Sequence, residues 1–188
     1  EERIKEAQKN ISFKLIFSKN ESLFKVNQVL DKTAFKFNDI AIGPDGSGVF
    51  YNTNKIRLRQ LNAFGEDFLI SSNQIVWTLQ NQTKKIADYT CYKAIAIEKV
   101  KTRKGFKEYK IVAWYFPEIN APFGPLGFSN LPGIILELER RNIKYFATKI
   151  NLNPKKKTVI KRPVKGKKIS QEEFFQIGIK AMSNFKNK

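Results

Sequence analysis

Few side chains in this chain of 188 residues could carry covalent or proton-transfer chemistry, and their types restrict what that chemistry could be. Histidine is absent. This removes Ser-His-Asp and Cys-His arrangements, imidazole acid/base catalysis and His-ligated zinc together. The single cysteine, Cys91, excludes an intrachain disulfide and a cysteine-rich zinc site. Within YTCYKAIAI it reads as a buried thiol with no imidazole to lower its pKa. Most of the 17 acidic residues stand singly beside lysines, where solvated ion pairs are the ordinary use. Glu118 and Glu137 are the one carboxylate pair that a local pattern brings into consideration as an acid/base dyad, and they bracket 18 consecutive residues without a charge. No catalytic residue, metal ligand set or cofactor follows from this inventory. The expectation is a non-enzymatic protein.

The uncharged run lies within AWYFPEINAPFGPLGFSNLPGIILE, residues 113–137, in a chain that is 28% charged. Pro122, Pro125 and Pro132 with Gly124, Gly127 and Gly133 forbid a continuous helix, although the run reaches membrane-span length. Two uses fit it. In the structural one, Trp114 and Tyr115 end a core strand, Pro117 stops pairing, the glycines allow tight turns, and Leu131-Pro132-Gly133 re-enters the sheet. In the functional one, Phe123, Leu126, Phe128 and Leu131 line a mouth for an apolar ligand or a partner's edge. The candidate binding residues are therefore Trp114, Tyr115, Phe116, Pro117, Glu118, Phe123, Gly124, Pro125, Leu126, Phe128, Leu131, Pro132 and Gly133.

The flanking elements read as short strands. Phe13, Leu15 and Phe17 alternate with polar residues and lead across Lys19-Asn20-Glu21 into residues 23–26, a hairpin pattern. A turn-rich loop, NDIAIGPDGSG, precedes strands at 49–52 and 56–62. Further strands are expected at 67–71, 75–79, 84–87, 90–100, 107–115, 134–139, 144–152 and 158–162. Only the C-terminus is convincingly helical. Ser170 and Glu173 form a capping box, and Phe174, Ile177, Gly178, Ala181, Met182 and Phe185 follow on one stripe that suits packing on a sheet. The predicted fold is α+β and mainly antiparallel β, a curved meander sheet with a C-terminal amphipathic helix over residues 170–188. A single domain spans 1–188, and residues 1–10 form a short helix or a frayed terminus.

Net charge is +18, and its distribution matters more than its sum. From Arg140 to Ile169 the chain holds twelve basic residues and no acidic one. Arg140, Arg141, Lys155, Lys156, Lys157, Lys161, Arg162, Lys165, Lys167 and Lys168 are the candidate anion-binding surface. The ordinary alternative is a lysine-rich solubilising face. Lipopolysaccharide phosphates, anionic headgroups and acidic polysaccharide suit such a stretch. Nucleic acid suits it less, since no motif such as a helix-turn-helix or paired aromatic strand signatures accompanies it.

With these elements placed, a resemblance emerges. Trp114-Tyr115-Phe116-Pro117-Glu118-Ile119, Phe123-Gly124-Pro125 and Asn130-Leu131-Pro132-Gly133-Ile134-Ile135-Leu136-Glu137 resemble the signature of the GLPGLI family. Upstream, Trp77-Thr78-Leu79, Lys84-Lys85-Ile86 and Tyr89-Thr90-Cys91-Tyr92-Lys93-Ala94 are similar to that family's W…K-x-I…Y-x-C-x-K-A pattern, so the match covers residues 77–152. Asn130 stands where the family has its first Gly, and Ile134-Ile135 stands for Leu-Ile. The resemblance implies an exported Gram-negative envelope protein, periplasmic or outer-membrane associated, with no established activity. It also implies an envelope protein or lipid-like ligand as partner, and an outer-membrane protein complex as one setting. The chain starts at Glu1 without Met and is read as a processed or trimmed product, in which a signal peptide would not be visible. More distantly, the strand order looks like the half-open β-barrels that carry lipids or lipoproteins across the periplasm.

Overall fold

The computed structural model describes residues 11–27, 46–102, 105–156 and 158–186, with side chains of the C-terminal helix as far as Ala181. The predicted N-terminal helix at 1–10 and most of the loop at 38–48 lie outside the described residues.

Period-two alternation produces two antiparallel meanders. In the first, β1 (Phe13–Phe17), β2 (Glu21–Val26), β3 (Val49–Thr53), β4 (Arg57–Ala63) and β5 (Glu66–Ser71) pair in chain order. In the second, β6 (Thr78–Ile86), β7 (Tyr89–Thr102), β8 (Gly105–Phe116), β9 (Ile134–Arg140) and β10 (Ile143–Phe146) do the same. A last strand, β11 (Lys167–Ser170), joins the first sheet parallel to β5. The fold is α+β with mainly antiparallel strands. The expected meander is divided between two sheets, and neither closes on itself: β1 and β11 end one, β10 and β6 the other.

Register decides what each face does, because residues directly opposite share a face. Phe24, Phe50, Arg59, Ile70 and Ile169 are paired in succession across the first sheet and so line one side of it. At the β2–β3 end that side packs on the second sheet. Phe24 and Phe50 join Ala94, Ala96, Ile111, Ala113, Ile135, Leu138 and Tyr145 in one buried cluster. At the β5–β11 end the same side is covered by helix α1 (Gln171–Lys186), through Phe174 and Ile177 against Leu61, Phe68, Ile70 and Ile169. The Phe174 ring meets that of Phe68 edge-on at 5.4 Å. Both side chains are only partly buried, so their packing contributes less than the roughly 3–6 kcal/mol that two fully buried ones would give before entropy is counted. The helix starts where the capping box places it: the Glu173 amide donates to Ser170 Oγ at 3.1 Å, and the Ser170 amide donates to Glu173 Oε2 at 2.6 Å.

Three strand expectations need correction. The strand expected at 75–79 begins only at Thr78, and the one expected at 144–152 stops at Phe146. Residues 158–162 are not a strand, because Pro154 and Pro163 remove ladder donors on either side and the lysines between them favour solvent. The strand in this region is instead β11, four residues after Gly166, whose φ of +109° turns the chain against β5. A Cβ there would lie 2.7 Å from the Phe68 carbonyl carbon.

Candidate functional site

Strand β8 ends on three bulky residues that point alternately. Tyr115 enters the core between the sheets, while Trp114 and Phe116 face the other side of the second sheet. A bulge between Trp114 and Tyr115 sets Glu137 opposite Trp114 and Ile134 opposite Phe116. Phe116, Ile134, Leu136 and Cys91 close into a buried cluster with Ile86 and Tyr89 packed on it. The Tyr89 ring meets that of Phe116 at 4.9 Å.

Between β8 and β9 the Pro/Gly segment folds back on itself. Phe123 bridges Ser129, the Asn130 amide donates to the Pro122 carbonyl at 3.0 Å, and the Ile135 amide donates to the Phe123 carbonyl at 2.9 Å. Pro125–Gly127 form a single 3-10 turn, with Leu126 at φ 54° and Gly127 at φ 71°. Asn52 Nδ2 and Arg57 Nε from the first sheet both donate to the Gly127 carbonyl, at 2.7 and 2.8 Å. The Arg57 guanidinium lies 4.8 Å over the Phe128 ring, and Trp77 contacts that ring while its Nε1 donates to the Ser129 carbonyl at 2.7 Å. Burial lowers the pKa of Arg57 to about 10; the Glu98 charge opposes this, and Arg140 and Arg59 add to it.

Phe123, Leu126, Phe128 and Leu131 are 0–2% exposed. Two surface hollows among the described residues involve none of them: one of about 90 Å³ is lined by Ile86, Leu136 and Ile150, and an open one of about 370 Å³ by Phe17 and Ile119. The side chains that a ligand mouth would need are spent inside the chain. Gly124, Pro125 and Gly133 are buried with them, and Gly124 abuts Ile135. Pro117, Glu118 and Pro132 are exposed at the rim. The segment is a plug that locks the two sheets together.

The carboxylate dyad does not form. Glu118 is exposed, whereas Glu137 is paired with Lys84 at 2.8 Å and Lys144 at 3.4 Å. Lys84 also sits 4.5 Å over the Trp114 ring, with Lys93 at 5.8 Å. Cys91 is fully buried, and burial pushes its thiol up to about 11; Lys84 pulls it down and Glu137 pushes it further up, both less strongly. Among the described residues no group of three or more Cys, Asp or Glu could hold a metal, and no helix is long and apolar enough to cross a membrane.

The basic stretch divides. Arg140 is turned away from solvent and clasps Glu98 with two bonds, at 2.7 and 3.0 Å; Arg141 reaches the same carboxylate at 3.6 Å and lies 4.6 Å over Tyr109. These two arginines are fold-building, a correction to their place in the anion-binding set. Glu98 was missed, although its parity with inward-facing Ala94, Ala96 and Val100 signals a carboxylate needing a cation. The remaining cations lie on a strap. Residues 147–156 and 158–166 run without helix or strand from β10 to β11. Ile150 anchors the strap in the Cys91 cluster and Ile160 on Tyr51, Leu58 and Leu69 of the first sheet's other side. Lys155, Lys156, Lys161, Arg162 and Lys165 are exposed on it, and Lys167 and Lys168 continue onto β11. Lys157 lies outside the described residues. Leu152, Val159 and Val164 are also more than half exposed there.

Compared with known families, residues 77–108 match a family described as "Protein of unknown function (Porph_ging)". That window holds Trp77, Lys84, Ile86, Tyr89, Cys91, Lys93 and Ala94, the residues that dock onto the plug and its flanking strands. No curated protein and no solved structure matches the chain.

Proposed function

We propose that this protein is a non-enzymatic binding protein of the GLPGLI type, exported to the cell envelope, whose strap engages an anionic, amphipathic surface such as a layer of phosphate-bearing lipid headgroups. The observation that carries the reading is the strap. It combines exposed cations with exposed Leu152, Val159 and Val164, and no acidic residue interrupts it. Cations near an anionic surface contribute about 1 kcal/mol each, and the aliphatic side chains add a term that salt does not screen. The plugged core weighs against the apolar-pocket version of the same function, since Phe123, Leu126, Phe128 and Leu131 are already buried within the chain. A salt titration of vesicle binding tests the proposal. Partition onto vesicles containing phosphatidylglycerol is expected to fall steeply between about 50 and 200 mM salt and to be negligible on phosphatidylcholine alone. Equal binding to both vesicles, or none to either at low salt, rejects it.

A further inference from the structure

Strands β7 and β8 outrun their neighbours. β6 pairs with β7 only as far as Ile95, and β9 pairs with β8 only from Ile111 onward. The pairs from Ile97↔Lys110 to Thr102↔Gly105 therefore form a two-stranded ribbon, roughly 20 Å long at the rise of a strand, that pairs with no further strand among the described residues. Its inward side is fixed at the base: Glu98 is clasped by Arg140, and Val100 is buried. Its outward side carries Ile97, Lys99, Lys101, Phe106, Glu108 and Lys110. That is three lysines against one glutamate, and the glutamate is already paired with Lys99 at 3.1 Å. Phe106, opposite Lys101 near the tip, is 73% exposed, and Ile97 is 55% exposed.

An exposed aromatic side chain beside several cations gains free energy by burial against a surface that is both apolar and negatively charged. We infer that the tip of the β7–β8 ribbon is a membrane-contact device, in which Phe106 enters the headgroup–acyl boundary of an anionic bilayer while Lys99, Lys101 and Lys110 lie against its phosphates. Charge complementarity and the apolar tip select this occupant over the others. Base stacking on nucleic acid uses successive open rings, yet Tyr109 is covered by Lys107 at 5.0 Å and Arg141 at 4.6 Å, and Ile97 cannot stack. Addition of a partner strand along the ribbon's edges is opposed by the lysines that guard them. The inference is independent of the strap, since it uses none of residues 147–166.

The test uses the whole chain with Phe106→Cys labelled by an environment-sensitive fluorophore; Cys91, fully buried, stays unlabelled. With phosphatidylcholine/phosphatidylglycerol vesicles the probe is expected to shift to the blue and to be quenched by brominated acyl chains, and with phosphatidylcholine alone to stay unchanged. Unlabelled Phe106→Ala is expected to keep the wild-type circular dichroism and to partition on the order of tenfold more weakly. Protein that sediments with anionic vesicles while the probe remains aqueous would overturn the ribbon's role and leave the strap as the contact. An equal shift on single-stranded DNA would overturn the choice of a bilayer, and absence of vesicle binding would overturn the inference outright.

Discussion

Substitution of Gly133 by alanine reaches the plug at its tightest point. Gly133 has φ +150°, and a Cβ there would lie 2.2 Å from the Phe116 carbonyl oxygen and 2.6 Å from Pro117 Cα. Both are backbone atoms of the strand end that the segment must re-enter, so no side chain can swing aside. The forced backbone conformation costs about 1–3 kcal/mol. Displacing packed backbone costs about 1–3 kcal/mol more. Gly133→Ala is thus expected to lose about 2–6 kcal/mol, a large part of the total stability of an ordinary domain. Gly65→Ala is the control. Its φ is +82° with nothing within 4 Å of the added Cβ, so it isolates the conformational cost of about 1–2 kcal/mol. Urea denaturation followed by tryptophan emission measures both, because Trp77 donates to the plug at Ser129 and Trp114 packs on the cluster of Phe116 and Ile134. Thiol titration gives a second readout, since Cys91 shares a cluster with Phe116 and Ile134 and should react faster in the Gly133 variant. If Gly133→Ala matches Gly65→Ala within about half a kcal/mol and leaves Cys91 unreactive, the plug is not the lock described above.

Asn130 stands at φ 71° and donates through Nδ2 to Gln74 Oε1 at 3.0 Å; Asn130→Gly should be close to neutral, whereas Asn130→Val should lose about 1–2 kcal/mol in the same urea assay. Ser170→Ala should lower stability by about 1 kcal/mol as the Glu173 amide loses its acceptor. The bonds from Ser170 hold the Glu173 carboxyl below its ordinary value. Its contribution is therefore complete above the ordinary carboxylate range and is lost as pH falls through the lowered folded-state value; Glu173→Gln should abolish that acid step in a pH series of unfolding midpoints. For Cys91 the sign is reversed. Its thiol is raised from 9.0 to about 11, so the unfolded chain ionises first and stability should fall between those two values. Cys91→Ala should flatten the decline, and a decline of unchanged slope would assign it elsewhere.

β7 was legible because it buries one side, with Ala94, Ala96 and Val100, and β1 because Phe13, Leu15 and Phe17 are partly buried around an exposed Lys14. The capping box was legible for a local reason, since both its bonds close within four residues. Division into two sheets was not, because the chain passes from one to the other through residues 72–77, whose composition differs little from any hairpin connection. Nor was β11, which is four residues long, basic and held by a parallel partner nearly a hundred positions away. At the site, the Pro/Gly segment was recognisable as a built corner, but its occupant was not. That the chain fills its own plug depends on Asn52, Arg57 and Trp77, which converge on Gly127, Phe128 and Ser129 only after both sheets form. Arg140 and Arg141 look like members of a basic run until register brings Glu98 to them.

The most direct test of the central claim is charge reversal on the strap. In Lys155→Glu/Lys156→Glu/Lys161→Glu/Arg162→Glu all four side chains are exposed, so the fold should survive with unchanged circular dichroism. At about 1 kcal/mol or more per cation, sedimentation with phosphatidylglycerol-containing vesicles should show affinity falling on the order of a thousandfold. A folded quadruple variant that partitions like the wild type would contradict the assignment of the strap as the anion-binding surface.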